Sequence, residues 1–524
     1  MPDYDVVIYG ATPSGCMAAV MAARLGLSVA VVEQTAFRGG MITGGLGISD
    51  AAATRTWWGP TQEWVNSIAA ETGITNEQRK WNFAASMATE KMNAILDAEN
   101  IDWFMSEWAV AVEKNDITLD LGAQVRGLAG YRTRIVALHT NARTLTAKQF
   151  IDASYEGDLL PLAGVPCVAG REARSTYGDP RAGRNDDAMA IRNYNVLDGD
   201  GDLWPRAQHE PIHQTGQADN TIMAYGFRLM VTNREDTIVP WPAPPGYRRE
   251  DFLPEIWEAN NRGVSRAEID AGFIVRRAPE DEFGHTAIDP PAKFATNGSD
   301  IIGPDAWEWC NLTPPERRVR EDRMAYRMLG RFYTFANDQD VPESIRDSFS
   351  EFGLCNDEFQ SEYILTPGWS HTLYVREGRR MIGQAVVTWK EGGKQLNWPD
   401  QVGVAGYFSD SKASYQYQVA GENQSTREGR SHDPYENFVY WGVPMRALVP
   451  SPGIADNLIV PVGASITGML HGSYRLEPIW MAMGQVAAVM AHEAIAADTD
   501  AALLRYGPVE ARLQSLNAVF RRYG

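Results

Sequence analysis

The stretch that decides the fold is residues 4–33, YDVVIYGATPSGCMAAVMAARLGLSVAVVE. Its first six residues form a short apolar, β-branched run, which is typical of a buried parallel strand. Gly10 ends that run. After Gly15, residues rich in Ala and Met favour a helix over 16–25, which Gly26 would close. A second apolar run, SVAVV, leads to Glu33. The order of strand, glycine turn, helix, strand and acid predicts a βαβ unit that holds a dinucleotide.

Each residue of this turn has a chemical reason to be there. Gly10 permits the tight turn, and Gly15 lets the helix pack close to the sheet. The N–H groups and the positive dipole end of the helix would face a pyrophosphate. Glu33 would accept hydrogen bonds from both ribose hydroxyls, which favours FAD or NAD over NADP. Thr12 replaces the central glycine of the usual G-x-G-x-x-G pattern, and its hydroxyl is expected to compensate.

The chain after Glu33 is rich in glycine, and this composition distinguishes an FAD site from an NAD site. Five glycines lie within QTAFRGGMITGGLGISD, residues 34–50. A loop of this composition can run its backbone along a large flat ligand, whereas NAD enzymes usually proceed to another βα unit. The sequence has no second strand-linked glycine fingerprint, so we expect no separate NAD(P)H-binding domain. These features favour FAD.

Three further segments resemble the FAD-dependent oxidoreductase family of the glutathione-reductase-like superfamily, which is related to fumarate-reductase-type flavoproteins. Residues 150–166 (FIDASYEGDLLPLAGVP) resemble the family segment that returns the chain to the cofactor domain. Residues 375–383 (VREGRRMIG) resemble its arginine-rich middle segment. Residues 443–491 (VPMRALVPSPGIADNLIVPVGASITGMLHGSYRLEPIWMAMGQVAAVMA) resemble its closing flavin-binding stretch. The resemblance covers both ends of the chain and one point in the middle.

The resemblance implies an α/β fold, namely a Rossmann-like FAD-binding domain of the glutathione-reductase type with an inserted α+β substrate or cap domain. The cofactor domain would be discontinuous, formed by residues 1–165 and 441–524. The substrate domain would occupy residues 166–440, where clusters of proline and glycine are typical of long surface loops.

The C-terminal segment contains a second helix start. LIVPV at 458–462 predicts a strand, residues 463–472 a glycine-rich loop, and Pro478 the first turn of a helix. The resemblance implies that this helix points its positive end at the N1–C2=O edge of the flavin. Many relatives place Asp or Glu after the strand to hold the ribityl chain, whereas this sequence has Gly463 and Ser465.

The residues expected to contact FAD lie in the glycine fingerprint, the loop after the second strand and the segments that carry the resemblance. They are Gly10, Thr12, Pro13, Ser14, Gly15, Glu33, Gln34, Arg38, Gly39, Gly40, Met41, Gly44, Gly45, Ala153, Gly463, Ser465, Glu477 and Pro478.

Three residues are the candidates for the catalytic chemistry. His471 precedes the flavin-facing helix and could take a hydroxyl proton while a hydride leaves for flavin N5. The equal alternative is a histidine bonded to the backbone or to a flavin oxygen. Arg475 could hold an anionic substrate or a flavin carbonyl, or form a structural ion pair. His371 comes from the middle region and could reach the pocket, as could His432.

Two segments are similar to metal sites, but we expect no metal. HEPIH at 209–213 matches a zinc motif, although Pro211 opposes the helix that must place both histidines on one face. DGDGD at 198–202 is followed by Leu203, where a calcium loop requires glycine. Four cysteines lie far apart with no CxxC, which indicates neither a disulfide framework nor an iron–sulfur or zinc site. A zinc hydrolase that uses HEPIH is an alternative of another class.

Composition restricts the partners. The 524 residues carry a net charge of −19, which argues against nucleic acid or an anionic membrane surface. No stretch approaches ~20 uninterrupted apolar residues, so no membrane span is expected. The N-terminus lacks the pattern of a signal peptide, so we expect a cytoplasmic protein.

These observations predict an FAD-dependent dehydrogenase or oxidase that transfers a hydride from a small organic substrate to flavin N5. Sixteen tryptophans, together with the histidines, favour a sugar-like or cyclic alcohol. The alternatives are a flavin monooxygenase and a non-enzymatic flavin-binding protein. The sequence leaves open the substrate, the electron acceptor, covalent attachment of FAD and the oligomeric state, with a homo-oligomer as one alternative.

Overall fold

The computed structural model of the chain describes residues 2–49, 56–73, 81, 83–118, 131–185, 214–261, 293–296, 300–361, 363–392, 397–418, 425–429 and 440–521. The strands are β1 Tyr4–Tyr9, β2 Val29–Glu33, β3 Ile101–Met105, β4 Ala109–Thr118, β5 Tyr131–Thr140, β6 Thr144–Leu145, β7 Ala147–Asp152, β8 Cys167–Val168, β9 Met230–Thr232, β10 Ile238–Val239, β11 Lys293–Ala295, β12 Gly353–Cys355, β13 Arg380–Met381, β14 Gln401–Gly406, β15 Tyr415–Gln418, β16 Ser425–Glu428, β17 Tyr440–Pro444 and β18 Leu458–Ile459. The α-helices are α1 Pro13–Arg24, α2 Gly40–Thr43, α3 Gly59–Thr72, α4 Ala85–Asp97, α5 Leu159–Leu162, α6 Arg174–Tyr177, α7 Leu253–Asn261, α8 Pro304–Trp307, α9 Pro314–Asn337, α10 Glu343–Ser350, α11 Trp389–Gly392, α12 Gly468–Tyr474, α13 Glu477–Ala496 and α14 Tyr506–Ser515.

A five-stranded parallel sheet in the order β18-β7-β1-β2-β3 joins the N-terminal and C-terminal parts of the chain. Within it β1 is central, and Val6 lies opposite Val29 on β2 and Gln149 on β7. The short strand β18 comes from the C-terminal part of the chain and pairs with β7. Because all five strands are parallel, the segments that follow β1, β2 and β7 meet at one edge of the sheet. The predicted α/β, Rossmann-like fold is confirmed.

The predicted βαβ unit is present, with a helix that begins earlier than expected. Helix α1 starts at Pro13 rather than at residue 16, because proline suits the first turn and Thr12 caps the helix. Gly26 follows the helix with φ +83°, which is the C′ role that the sequence predicts. Strand β2 ends at Glu33, one residue later than the apolar run.

Helix α13 forms much of the core and packs across α1. Its residues from Glu477 to Ala491 are all buried. The close approach of the two helices depends on Gly484, where a Cβ would overlap the Ser14 carbonyl oxygen and lie 2.8 Å from its carbon. The helix is long and apolar enough to cross a membrane, but 78% of its most apolar window is buried inside the fold. Core helices of soluble proteins pass the same test of length and hydropathy.

The middle of the chain is joined to the region of the parallel sheet by a largely buried ion pair. It contains an antiparallel sheet, β10-β12-β9-β11, and the 24-residue helix α9. Arg317 on α9 donates to both carboxylate oxygens of Asp158, at 2.6 and 2.7 Å, and to Gln34 at 3.3 Å. Burial acts to raise the pKa of Asp158, but Arg317 and Arg379 lower it below its usual value. The ion pair therefore holds α9 beside the segment that follows β7, and the Gln34 hydrogen bond joins α9 to the turn after β2. The division into domains at 165 and 440 stays a prediction.

Three local predictions differ from the structure. The glycine-rich loop predicted at 463–472 contains the start of α12, whose first N–H, that of Gly468, donates to Glu172 Oε2 at 3.1 Å. The predicted strand at 458–462 extends only over Leu458–Ile459. The glycine-rich loop after β2 contains the single turn α2. For α12 the physical reason is the carboxylate of Glu172, which satisfies a helix N–H from a distant part of the chain.

Candidate cofactor and active site

A cleft of about 490 Å³ opens where the segments after β1, β2 and β7 meet. Residues 9–12, 33–37 and 154–156 line it from the sheet side. Residues 371–373 and 375, together with Trp309 and the first turns of α9, line it from the middle region. Ligands of parallel α/β sheets bind in this position, outside the carboxyl ends of the strands.

The turn after β1 is built so closely that two positions admit only glycine. Gly10 has φ +100°, and a Cβ there would lie 2.7 Å from the backbone nitrogen of Ser154. A Cβ on Gly15 would overlap the carbonyl oxygen of Gly10 and lie 3.1 Å from its carbon. Both glycines therefore serve the packing of the turn, as the sequence suggested.

Thr12 uses its hydroxyl inside the fold. The hydroxyl donates to the Ala153 carbonyl at 2.7 Å and accepts from the Gly15 N–H at 3.3 Å. It thus caps α1 and ties this helix to the segment after β7. Pro13 follows as the first residue of α1, and Ser14 is completely buried.

Glu33 is a buried carboxylate at the end of β2 and lines the cleft. Its Oε2 accepts from the Ala11 N–H at 2.6 Å, and its Oε1 accepts from the Thr35 N–H at 2.8 Å. Burial raises its pKa to about 7, against the opposing effect of these backbone hydrogen bonds. Since a carboxylate offers about four lone-pair positions, Glu33 keeps acceptor capacity for ribose hydroxyls.

The residues predicted in the loop after β2 have different surroundings. Gln34 and Gly40 line the cleft. The Arg38 side chain instead binds α4, with an ion pair to Asp97 at 2.7 Å and a hydrogen bond to Asn93 at 2.7 Å.

The other predicted residues of this loop are Gly39, Met41, Gly44 and Gly45, and at each of them the backbone lies close to another segment of the chain. The Gly39 N–H donates to the Ala11 carbonyl at 2.8 Å, and the Met41 N–H donates to the Tyr155 hydroxyl at 3.0 Å. A Cβ on Gly44 would lie 2.5 Å from Thr372 Cβ, and one on Gly45 would lie 3.1 Å from the Arg228 carbonyl carbon.

The C-terminal residues predicted to contact FAD lie between β18 and the first turn of α13. Gly463 accepts the Met381 N–H at 2.9 Å, and the Ser465 hydroxyl accepts the Gly383 N–H at 3.0 Å. Glu477 begins α13, with Pro478 as its second residue.

Glu477 is buried at the first turn of α13. Its Oε1 accepts from the Tyr155 hydroxyl at 2.8 Å. Burial raises its pKa to about 8, so its carboxyl is mostly protonated at neutral pH.

Two buried polar atoms test whether FAD fits these residues. Within the described part of the chain, Ser14 Oγ and Glu477 Oε2 have no hydrogen-bond partner. Such atoms are costly, and they lie on the first turns of α1 and α13. The residues present therefore fit FAD. The α1 N-terminus would hold the pyrophosphate, Glu33 the ribose, and α13 the flavin end.

His471 lies on α12 and is almost completely buried. Neither ring nitrogen has a hydrogen-bond partner among the residues that the structure describes. The Arg376 backbone lies beside the ring without reaching hydrogen-bond geometry. Burial, Arg380 and Arg475 lower its pKa to about 3, so the imidazole is neutral.

The two other catalytic candidates are placed differently. Arg475 is the C-cap residue that follows α12; it donates to the Tyr374 hydroxyl at 2.9 Å and forms an ion pair with Asp410 at 2.9 Å. His371 lines the cleft instead, stacked on Phe37 with 4.0 Å between ring centroids. Burial lowers the pKa of His371 to about 4.

Several lining residues were missed by the sequence analysis. Tyr155 follows β7, and the signal for it was a polar aromatic residue just after a parallel strand. Trp309, whose Nε1 donates to Glu156 at 3.0 Å, and Arg317 carry no local signal.

The described residues test only part of the predictions about metal sites. Within the described residues, no group of three His, Cys, Asp or Glu could hold a metal ion. HEPIH at 209–213, DGDGD at 198–202 and His432 lie outside the described residues.

Comparison with known structures gives partial similarities. THI4 from Thermovibrio ammonificans is 20% identical over 32% of this chain and 64% of its own, with a TM-score of 0.21. For T. acidophilum thioredoxin reductase, the identity is 18% over 30% of this chain and 40% of its own, with a TM-score of 0.17. The OxyS anhydrotetracycline hydroxylase from Streptomyces rimosus is 14% identical over 33% of this chain and 38% of its own, with a TM-score of 0.23. Each match spans less than two thirds of the other protein.

The family comparison covers far more of the chain. No curated protein matches the sequence. The family model described as FAD dependent oxidoreductase matches residues 5–513. This match runs from β1 to α14 and so includes the cleft and both helix starts described above. The chain therefore belongs to the FAD-dependent oxidoreductase family and is an enzyme whose cofactor is FAD.

Proposed function

We propose that this enzyme is a dehydrogenase or oxidase that oxidises a cyclic or sugar-like alcohol, with His471 as the proton acceptor. The observation that carries the proposal is the buried, neutral His471 ring, which has no hydrogen-bond partner at either nitrogen within the described part of the chain. When bound, FAD supplies the acceptor for the hydride that leaves the substrate carbon.

The protonation state of His471 suits this role. A neutral imidazole has one N–H donor and one nitrogen that can accept a hydrogen bond from a substrate hydroxyl. Oxidation of an alcohol to a carbonyl releases that hydroxyl proton, and His471 would take it. The positive charges of Arg380 and Arg475 oppose the imidazolium, so a negative group near the ring would strengthen His471 as a base.

The surroundings of His471 favour a ring-shaped substrate near the cofactor cleft. The Trp480 and Tyr474 rings lie 6.1 and 6.5 Å from the His471 ring, measured between centroids. Trp480 in turn lies 5.5 Å from Tyr155, which lines the cleft. Small-molecule pockets are lined predominantly by hydrophobic and aromatic side chains of this kind.

Anaerobic reduction of the bound flavin tests the proposal. The FAD-loaded enzyme is mixed with a panel of cyclic and sugar alcohols, and the loss of the visible absorbance of oxidised flavin is followed. For the best alcohol, His471→Asn should slow reduction by about 10²- to 10⁴-fold, the usual contribution of a general base. His139→Asn is the matched control, because His139 lies on β5 with a half-buried ring that is hydrogen-bonded to Thr144.

Two results would contradict the proposal. If His471→Asn retains FAD and is reduced as fast as wild type, His471 is not the proton acceptor. If no alcohol reduces the flavin, but a compound from the panel is oxygenated when an external reductant is added, the enzyme is a monooxygenase.

A further inference from the structure

The middle region supplies a second wall of the cofactor cleft. Trp309 and the first turns of α9 line the cleft, together with the turns that follow β1, β2 and β7. Helix α9 begins with Pro314 and Pro315, which have no backbone N–H group to donate. What this part of α9 offers to a ligand in the cleft is therefore its side chains.

Four residues join this wall to the sheet side in a closed ring of hydrogen bonds. Arg317 Nη1 donates to Gln34 Oε1 at 3.3 Å, and Gln34 Nε2 donates to Glu156 Oε2 at 3.4 Å. Trp309 Nε1 donates to the other carboxylate oxygen of Glu156 at 3.0 Å, and Arg317 Nε donates to the Trp309 carbonyl at 3.2 Å. All four residues line the cleft. The ring and the ion pair of Arg317 with Asp158 therefore fix the start of α9 beside the cleft.

The charged side chains of the cleft include few cations for an anionic cofactor. Among the described residues that line the cleft, Arg317 and Arg318 carry a guanidinium group, and no lysine is present. Glu33, Glu156 and Glu321 contribute carboxyl groups to the same cleft. Because the pyrophosphate of FAD is anionic, its stability in the cleft depends on the cations that can turn to it.

The two arginines differ in how firmly their guanidinium groups are held. Arg317 is nearly completely buried and donates to both carboxylate oxygens of Asp158. Arg318 is half exposed, and its guanidinium group lies 3.4 Å from the Glu321 carboxylate and 3.9 Å from that of Asp322. Charge-assisted hydrogen bonds are shorter, about 2.7–2.9 Å, and exposed ion pairs on one helix contribute little. Arg318 can therefore exchange these partners for an anion in the cleft.

The turn after β1 gives a reason for a second phosphate contact. The usual fingerprint places glycine at its centre so that the backbone can approach the pyrophosphate closely, and this chain has Thr12 there. The Thr12 hydroxyl donates to the Ala153 carbonyl at 2.7 Å. Since a hydroxyl has one proton to donate, it is not available to a phosphate oxygen. The departure from glycine is thus not compensated within the turn itself.

We propose that Arg318 binds the pyrophosphate of FAD from the wall that the middle region supplies, so that α9 completes the cofactor site. A guanidinium group presents planar N–H donors that match the oxygens of a phosphate. The N-terminus of α1 would hold the same pyrophosphate from the sheet side. This assignment depends on FAD as the cofactor but not on His471 or an alcohol substrate, so it can fail or succeed independently of the proposed function.

Calorimetric titration of the full chain, stripped of FAD, tests the pyrophosphate contact. ADP contains the adenosine and the pyrophosphate of FAD, whereas adenosine lacks the phosphates. Arg318→Met should weaken ADP binding by about 10- to 100-fold, the value of a hydrogen bond between charged groups, and leave adenosine binding unchanged. The Kd for FAD should rise by a similar factor. Arg318→Lys should recover part of the loss, because it keeps the charge without the planar donors.

Arg323→Met is the matched control. Arg323 lies on the same helix, and the side chains of Arg318 and Arg323 are both 50% exposed, but Arg323 forms an ion pair with Asp305 at 3.0 Å and does not line the cleft. It should keep wild-type affinity for ADP and FAD. Wild-type ADP affinity in Arg318→Met overturns the proposal, and so does an equal loss in both variants. Equal losses of ADP and adenosine affinity in Arg318→Met overturn the assignment to the pyrophosphate.

Hydrogen exchange of the wild-type chain tests the second wall without a variant. ADP should slow the exchange of backbone amides in residues 316–321 of α9, because a ligand held by both walls opposes local opening of this segment. Helix α14, Tyr506–Ser515, does not line the cleft and should exchange at the same rate with and without ADP. Protection of the turn at residues 10–16 without any protection of residues 316–321 would show that α9 takes no part in binding.

Discussion

Gly484 is the contact point between α13 and α1, and we expect Gly484→Ala to weaken FAD binding. A Cβ at this position would overlap the carbonyl oxygen of Ser14 and lie 2.8 and 2.9 Å from its carbonyl carbon and its hydroxyl oxygen. Ser14 lies on the first turn of α1, which we expect to hold the pyrophosphate. The clash is with backbone, so α1 or α13 must shift as a whole.

The magnitude follows from two opposing contributions. Replacing a helical glycine by alanine gains about 1 kcal/mol of helix propensity. Overpacking a tight contact costs typically about 1–3 kcal/mol, and a backbone overlap of this depth lies at the upper end. The net loss is therefore about 2 kcal/mol. If α1 moves in the FAD-free protein to relieve the clash, FAD binding must return α1 to its original position. The net loss of about 2 kcal/mol then reduces the binding free energy and corresponds to about a 30-fold higher Kd for FAD.

The assay is a titration of stripped protein with FAD, followed by flavin fluorescence, together with thermal unfolding of the loaded protein. Gly507→Ala is the matched control. It places the same substitution near the start of α14, where a Cβ would meet nothing within 4 Å, so FAD affinity should not change. If Gly484→Ala binds FAD as tightly as Gly507→Ala and unfolds at the same temperature, the inferred closeness of the two helices is wrong.

Two further changes test the polar groups of the cleft. Thr12→Ala removes the cap of α1 and leaves the Ala153 carbonyl without its donor, so it should destabilise the protein by about 2 kcal/mol in urea unfolding. Thr12→Ser keeps the hydroxyl and should recover most of the loss, and a Thr12→Ala protein as stable as wild type would disprove the capping role. Glu477 is neutral in the fold because burial raises its pKa from 4.5 to about 8. Wild-type stability should therefore be full below pH 4.5 and fall as the pH rises through 8, by up to about 5 kcal/mol from this group. Glu477→Gln cannot ionise, so it should equal wild type at acid pH and exceed it at pH above 8 in thermal unfolding. If stability falls with rising pH equally in both proteins, ionisation of the Glu477 carboxyl is not the cause of the fall.

The βαβ unit was predictable from the sequence because its determinants are local. The apolar runs, the turn glycines and Gly26 lie within thirty residues of one another, and each limits the backbone through sterics that hold in any protein. The segments that resemble the FAD-dependent oxidoreductase family added the second helix start at Pro478. Together they were sufficient for the fold, the cofactor and the enzyme class.

Tertiary structure decided the environment of each side chain in the site. Thr12 was expected to serve the cofactor, and the fold turns its hydroxyl to Ala153, 141 residues away. His471 was expected in a loop, and the carboxylate of Glu172 caps a helix there. The Arg317–Asp158 pair joins positions 159 residues apart.

Asp410 illustrates the limit of sequence reasoning most clearly. In the sequence Lys412 stands two residues after Asp410, and this pattern alone does not say which partner either side chain has. In the fold Asp410 forms an ion pair with Arg475. A local pattern fixes the backbone because its forces act between neighbours. Burial and charge pairing depend on distances through space, which only the assembled fold determines.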